Sequence, residues 1–432
     1  MMIKLFMTFA ATALLSGCVA HANPTSSNTP GSDSTAPPHS EEARGTACVA
    51  AGTWYDPSTK KTIAPDDMMA RLKDKSVVLL GETHTIADHH RWQMQTIAQL
   101  YAQNPNMILG FEAFPRRVQN ALDRWVAGEL SEQAFLKESE WETVWKYDAA
   151  QYMPLFHFAR LNHVPMVALN VDRSLIRKIS KAGWKAVPET ERRGVGDPAP
   201  ASTPYLDMLG AVFGRHDNDD GDKRGAPKGP GLNDPVFSNF VDVQLTWDRA
   251  MAEAAVTALK KAQTKGGTPQ LVAIAGRGHM DHFYGIPAQL KALGETSFTV
   301  LTPWDQLQKC SDLITADGTP TADAVFGIED TPDTYASEKP KLGVMIEKSE
   351  TGVRIGGVIE ASIAETAGLK KDDIIVEAAG TKVVETGQLV TIIKAMSPGT
   401  WLPLNVQRGG KMIEIIARFP VQPDYPKVQE KN

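Results

Sequence analysis

Four short stretches place acids and imidazoles directly after apolar runs. "LLGETH" carries Glu82 and His84, "GFEAF" carries Glu112, "LNVDR" carries Asn170, Asp172 and Arg173, and "GRGH" carries Arg277 and His279. The spacing G-x-x-H occurs twice, at Gly81/His84 and Gly276/His279. Two imidazoles and a carboxylate suit a divalent cation such as zinc or manganese. His84 and His279 would bind through nitrogen and Glu112 through oxygen, and water would hold the open position of a catalytic site. The same groups, with Glu82 and Arg277 beside them, can run acid–base chemistry without a metal. In a third reading Glu82, His84 and Arg277 form a buried hydrogen-bonded brace for the loops.

These residues meet only if the chain brings the stretches together. Apolar runs at Val77–Leu80, Met107–Phe111, Met166–Val171, Leu271–Ala275 and Phe298–Leu301 read as strands. Helical patterns lie between them, among them "DHHRWQMQTIAQLYAQ", "AQYMPLFHFARLNH" and the long "PVFSNFVDVQLTWDRAMAEAAVTALKKA". Strands alternating with helices predict an α/β fold with a largely parallel sheet flanked by helices. In such a sheet the C-terminal strand ends share one edge, where ligands bind. Trp125 to Asn162 carries helices without a strand and reads as a helical insertion. The acidic run in Gly214 to Asp234 does not match an EF-hand, because His216 would take the first ligand position; it reads as a solvated loop.

The chain ends are of another kind. Lys4, the apolar run Leu5 to Leu15 and "LLSGC" resemble a bacterial lipoprotein signal, cleaved before Cys18, whose sulfur is then diacylated. The apolar run is too short to span a bilayer. Val19 follows instead of aspartate, so retention at an inner membrane is not signalled. Residues 22 to 47 are rich in Pro, Ser and Thr and read as a tether. Only Cys48 and Cys310 then remain, and in an exported chain they are expected to pair. The net charge of −6, without a basic tract, argues against nucleic acid as a partner.

The stretches "VVLLGETHTIADHH", "GFEAFPR", "NVDR", "FVDVQLTWDRAMAEAA" and "AIAGRGHMDHFYGIP" resemble the ChaN-like haem-binding lipoproteins. These belong to the wider group of TIKI, TraB and erythromycin-esterase-like proteins. The resemblance runs over roughly Thr53 to Pro303. It implies a lipid-anchored outer-membrane protein of iron acquisition, facing the periplasm or the surface, with haem enclosed by a homodimer and held by a tyrosine or histidine. Tyr152, Tyr205 and His216 are the candidate haem ligands, with Met153, Phe156, Phe158, Met208 and Phe213 as apolar wall. The TIKI-like branch implies instead a metal-dependent hydrolase or protease built on His84, Glu112 and His279.

Lys341 to Phe419 resembles a bacterial PDZ domain of the HtrA type, β-rich and small, on "KLGV", "SIAETAGL" and "DDIIVEAAG". Leu342, Gly343 and Val344 would cradle the carboxylate of a protein C-terminus, or the domain would add an exposed strand to its sheet. Asp372 stands where that family usually has glycine, at a turn that needs positive φ. The expected organisation is a signal peptide at 1–17, a tether at 18–47, an α/β domain at 48–312, a linker at 313–340 and a PDZ domain at 341–425. The leading expectation is a lipid-anchored haem-binding protein; the alternative is the metal-dependent hydrolase. Replacing Cys18→Ala should abolish palmitate labelling and leave the protein soluble or uncleaved. Lipid still attached to the matured variant would overturn the signal.

Overall fold

The structure, a computed structural model, describes residues 48–217, 234–264, 266–306, 308–329 and 341–420, except the side chains of 215–217. Cys18, the tether and most of the Gly/Asp-rich loop lie outside these residues.

The first domain contains, in order, β1 (Trp54–Asp56), β2 (Lys61–Ile63), α1 (Pro65–Leu72), β3 (Val77–Glu82), α2 (Ala87–Gln103), β4 (Met107–Pro115), α3 (Gln119–Val126), α4 (Glu132–Glu138), α5 (Trp141–Val144), α6 (Ala149–Leu161), β5 (Met166–Asn170), α7 (Arg173–Ala182), α8 (Thr203–Asp217), α9 (Pro235–Gln263), β6 (Gln270–Gly276), α10 (Ile286–Ala292), β7 (Phe298–Asp305) and β8 (Ala324–Ile328). One 8-stranded sheet has the order β2-β1-β8-β7-β3-β6-β4-β5. From β8 to β5 every pairing is parallel; β1 joins β8 and β2 antiparallel. The five expected strands all form. β1, β2 and β8 were not expected, and β8 takes part of the supposed linker 313–340 into the first sheet.

Alternation explains why the central strands read as unbroken apolar runs. Val78, Leu80, Val272 and Ile274 face one core, which α1, α2 and α6 cover. Val77, Leu79, Leu271 and Ala273 face the other, under α9 and α10. The insertion between β4 and β5 forms α3 to α6, and its Trp125, Phe135, Trp141 and Phe156 pack with Phe111 and Phe114 of β4. Cys48 and Cys310 are joined in a disulfide across a sequence separation of 262 residues, with Cα atoms 5.6 Å apart. In a chain-entropy account, closing so long a loop stabilises by up to about 5 kcal/mol.

The crossover that matters comes late. β6 inserts between β3 and β4, pairing Glu82 with Gly276 on one side and Phe111 with Ile274 on the other. Three of the four polar strand ends thereby become neighbours, and β5 adds the fourth.

The second domain contains β9 (Val344–Lys348), β10 (Val353–Val358), α11 (Ile363–Ala367), β11 (Ile374–Ala378), β12 (Thr381–Lys382), α12 (Thr386–Lys394), β13 (Trp401–Arg408) and β14 (Lys411–Arg418). Its antiparallel sheet runs β14-β13-β11-β10-β9, with β12 on β11, around a core including Leu342, Ile355, Ile375, Leu389 and Leu404. Ser362 caps α11 by accepting from Glu365 N at 3.1 Å. Asp372 does adopt the left-handed turn, with φ 70°.

Candidate functional site

Glu82 ends β3 as a buried carboxylate surrounded by donors. Its Oε1 accepts from Tyr152 Oη at 2.6 Å and bonds His84 Nδ1 at 2.7 Å. Its Oε2 accepts from Gln93 Nε2 at 3.0 Å and lies 3.2 Å from His90 Nδ1. Burial alone would raise its pKa, but the hydrogen bonds from His84 and His90 hold it far below the usual carboxylate range. His84, beside it, loses charge stability by burial and regains more from Glu82 and Glu112, so its pKa is raised.

A second relay stands on the other side of β6. Tyr205 Oη donates to Asp248 Oδ2 at 2.8 Å, and His279 Nδ1 bonds Asp248 Oδ1 at 2.7 Å. Asp248 lies on the buried face of α9, between Leu245 and Met251. Burial works against the His279 charge, yet Glu112 and Asp248 raise its pKa well above the ordinary value. The turn carrying His279 can approach α9 because residue 285 is glycine, at φ +56°. A Cβ there would meet His279 O at 2.4 Å and Asp248 Oδ1 at 2.9 Å.

Glu112 stands where the relays meet. Its Oε2 accepts from Gly276 N at 2.7 Å, and its Oε1 is 3.5 Å from His279 Nε2. A Cβ at Gly276 would lie 3.2 Å from His84 Nε2 and 3.6 Å from Glu112 Oε2. His84, Glu112 and His279 are thus brought together, with Glu82 behind His84. Arg277 is not: its Nε donates to Asp281 Oδ2 at 2.7 Å, and its guanidinium lies over Trp304.

The divalent-metal expectation needs correction. Among the described residues no group of three or more His, Cys, Asp or Glu is arranged to hold an ion. In the geometry present, each imidazole is turned by Nδ1 to a carboxylate of its own, His84 to Glu82 and His279 to Asp248, and Glu112 Oε2 is taken by Gly276 N.

The haem ligands expected from sequence are placed differently. Tyr152 and Tyr205 are 1% and 2% exposed, and both hydroxyls already donate to carboxylates. Burial and the adjacent carboxylates raise the pKa of both phenols, which keeps each the donor of its relay. His216 falls in the last turns of α8, but its side chain is outside the described residues.

Above this floor opens a cavity of about 530 Å3, lined by His84 and Glu112 below and by Trp145, Tyr147 and Trp247 at its sides. Tyr147 is 36% exposed, and its ring is 5.0 Å from that of His84. No hydrogen bond to its hydroxyl occurs among the described residues. Sequence reading passed over Tyr147 because it sits among polar residues with no periodic context. It also passed over Asp248, although an aspartate on the apolar stripe of a helix was a signal. A larger cavity, about 1010 Å3, lies at the opposite strand ends between β5 and α9, away from the converging acids and imidazoles.

Residues 68–290 match the family described as haem-binding uptake, Tiki superfamily, ChaN, over more than half of the chain. The chain belongs to this ChaN-like family. Residues 340–417 match the PDZ domain family. A solved structure, "Cofacial heme binding to ChaN of Campylobacter jejuni", is 20% identical, covers 63% of this chain and 95% of that one, and has a TM-score of 0.48. "Crystal Structure of the HtrA3 PDZ Domain Bound to a Phage-Derived Ligand (FGRWV)" is 22% identical over 18% of this chain and 84% of that one, with a TM-score of 0.17. A probable periplasmic serine endoprotease DegP-like of Chlamydia muridarum is 37% identical over 82 residues, 18% of this chain. The chain spans only 16% of the length of that curated relative.

The ChaN-like floor has a pH signature. The raised His84 pKa contributes stability that is complete below the ordinary 6.5 and is lost as pH rises through the folded value. The lowered Glu82 pKa contributes stability present above 4.5 and lost as pH falls towards the folded value. The pair is therefore worth most between 4.5 and 6.5. His84→Gln should cost about 2 kcal/mol in that window, the scale of a hydrogen bond to a charged group. The cost should shrink as pH is raised. Thermal melts of both proteins across pH check this; a cost that does not change with pH would contradict it.

Proposed function

We propose that this chain binds haem in the cavity over the Glu82–His84–Glu112–His279 floor, and does so as a lipid-anchored protein of the bacterial envelope serving iron acquisition. The observation that carries the haem reading is Tyr147, a phenol whose hydroxyl has no hydrogen bond among the described residues, at a cavity walled by indoles. A phenolate oxygen is an established axial ligand of haem iron. Trp145 and Trp247 offer apolar faces to a flat macrocycle. The residues present therefore fit the group that the family binds. Haem would supply an iron centre able to take a further ligand. The protein's own part is to hold the ring, to present Tyr147 and to keep His84 fixed beneath it through Glu82. The anchor is supported by "LLSGC", and an oxidising compartment by the Cys48–Cys310 disulfide.

The PDZ domain supports a docking role. β9 is the edge strand of its sheet, and the end of β9 is tied to the start of α12 by the Lys348–Glu385 ion pair. Val344 and Ile346 of β9 and Ile392 of α12 are only partly buried on the domain core. A peptide adding to β9 would place its carboxylate at Leu342–Gly343–Val344 and an apolar last side chain between β9 and α12.

Haem added to the full chain should give a saturable Soret band. Tyr147→Phe should weaken binding about tenfold or more and remove the phenolate-to-iron absorption band, whereas Tyr152→Phe should keep that band. No saturable Soret change would dismiss haem binding, and an unaltered Tyr147→Phe spectrum would dismiss the ligand. For the PDZ domain, peptides ending in a free valine carboxylate should bind at least about tenfold tighter than their C-terminal amides, by calorimetry. Equal affinity would remove the carboxylate cradle.

A further inference from the structure

Three arginines rim the cavity, and they differ in one respect. Arg117 is held between Glu140 and Asp172 by two ion pairs. Arg173 and Arg177 have no acidic partner among the described residues. Arg173 uses one nitrogen, donating from Nη2 to Val144 O at 2.9 Å. Arg177 has no side-chain hydrogen bond among the described residues. The two stand four residues apart on α7, hence on one face of the helix, and both line the cavity. Their neighbour Lys178 points elsewhere, to Glu191 at 2.5 Å. The chain as a whole is acidic, at −6, so this pair is not part of a generally basic surface. The two carboxylates of the lining are already engaged, Asp172 by Arg117 and Glu112 by Gly276 N and His279. The cavity thus combines aromatic walls with two guanidinium groups that have no acidic partner among the described residues.

We propose that Arg173 and Arg177 recognise the carboxylates of the ligand and turn its acidic edge towards α7. The proposal rests on the haem reading and deepens it: the ligand class is a flat aromatic dicarboxylate, with its anionic groups on one edge. A guanidinium matches a carboxylate with two parallel N–H bonds, which gives direction as well as affinity. Tyr147 would serve the metal of such a ligand, and the arginine pair its periphery. The arginines are positioning residues and take no part in chemistry at the iron.

The test compares haem with haem dimethyl ester, whose ring and iron are the same but whose carboxylates are blocked. Binding to the full chain is followed by absorbance. The wild type should bind haem about tenfold or more tighter than the ester, and Arg173→Gln/Arg177→Gln should lose that preference by weakening haem alone. Affinity for the ester, unchanged in the variant, reports that the pocket is still folded. Arg173→Lys/Arg177→Lys should recover part of the preference, since charge returns without the planar fork. A wild type that binds both compounds equally, or a Gln variant that keeps the preference, overturns the arginine assignment while leaving haem binding intact. A wild type that binds neither overturns both.

Discussion

Glu112 is a carboxylate buried at the end of a parallel strand, and the site follows from compensating it. An isolated charge in such a place is costly, and the fold offers one backbone donor, Gly276 N, across the β4–β6 boundary. The remaining compensation comes from two imidazoles. Each of these, once charged and enclosed, needs a carboxylate of its own: Glu82 for His84 and Asp248 for His279. Each of those carboxylates in turn takes a tyrosine hydroxyl. The buried polar groups thus form one chain of obligations, in which truncating any member leaves another unpaired. Such a network specifies positions closely, because half-satisfied alternatives are worse than either extreme.

The same logic explains which functional residues were legible in the sequence. Glycine-flanked acids and imidazoles at the ends of apolar runs were visible, because a parallel sheet puts all its C-terminal ends on one edge. Which of them touch was not visible. That depends on β6 entering between β3 and β4, a choice made by strand pairing over long separations. The role of the imidazoles was also hidden. A histidine and a glutamate in sequence look alike whether they hold a metal or each other. Only the second carboxylate behind each ring, Glu82 for His84 and Asp248 from α9 for His279, raises the pKa of the imidazoles, and no sequence spacing shows it.

Elements missed outright share a physical cause. β1 and β2 have three residues each, too few to show alternation, and are held by their neighbours. β8, "AVFGI", lies in a Thr-, Asp- and Pro-rich stretch whose composition suggested a linker. Its pairing with β7 and β1 outweighs that local character. The two tyrosines taken for iron ligands show the converse. Their apolar neighbours suggested a pocket wall, yet those neighbours lie in or pack against core clusters, and the hydroxyls donate to buried carboxylates.

Floor and wall of the cavity have different origins, and this bears on what the cavity can select. The floor is braced from several directions. Asp305, at the end of β7, accepts from His89 Nε2 at 2.9 Å, and His89 Nδ1 accepts from Thr83 N at 2.9 Å. The loop that carries His84 is therefore tied to the strand next door, a few residues before the Cys48–Cys310 clasp. The wall, with Trp145 and Tyr147, comes from the helical insertion, where Glu140 and Lys146 adopt positive φ. Changes in the insertion can alter the wall without disturbing the buried charges. A single change in the floor leaves a charge or hydroxyl unmatched. Variation in the insertion and in α7 can accordingly reshape the cavity, whereas the acid–imidazole floor is tied to the sheet around Glu112.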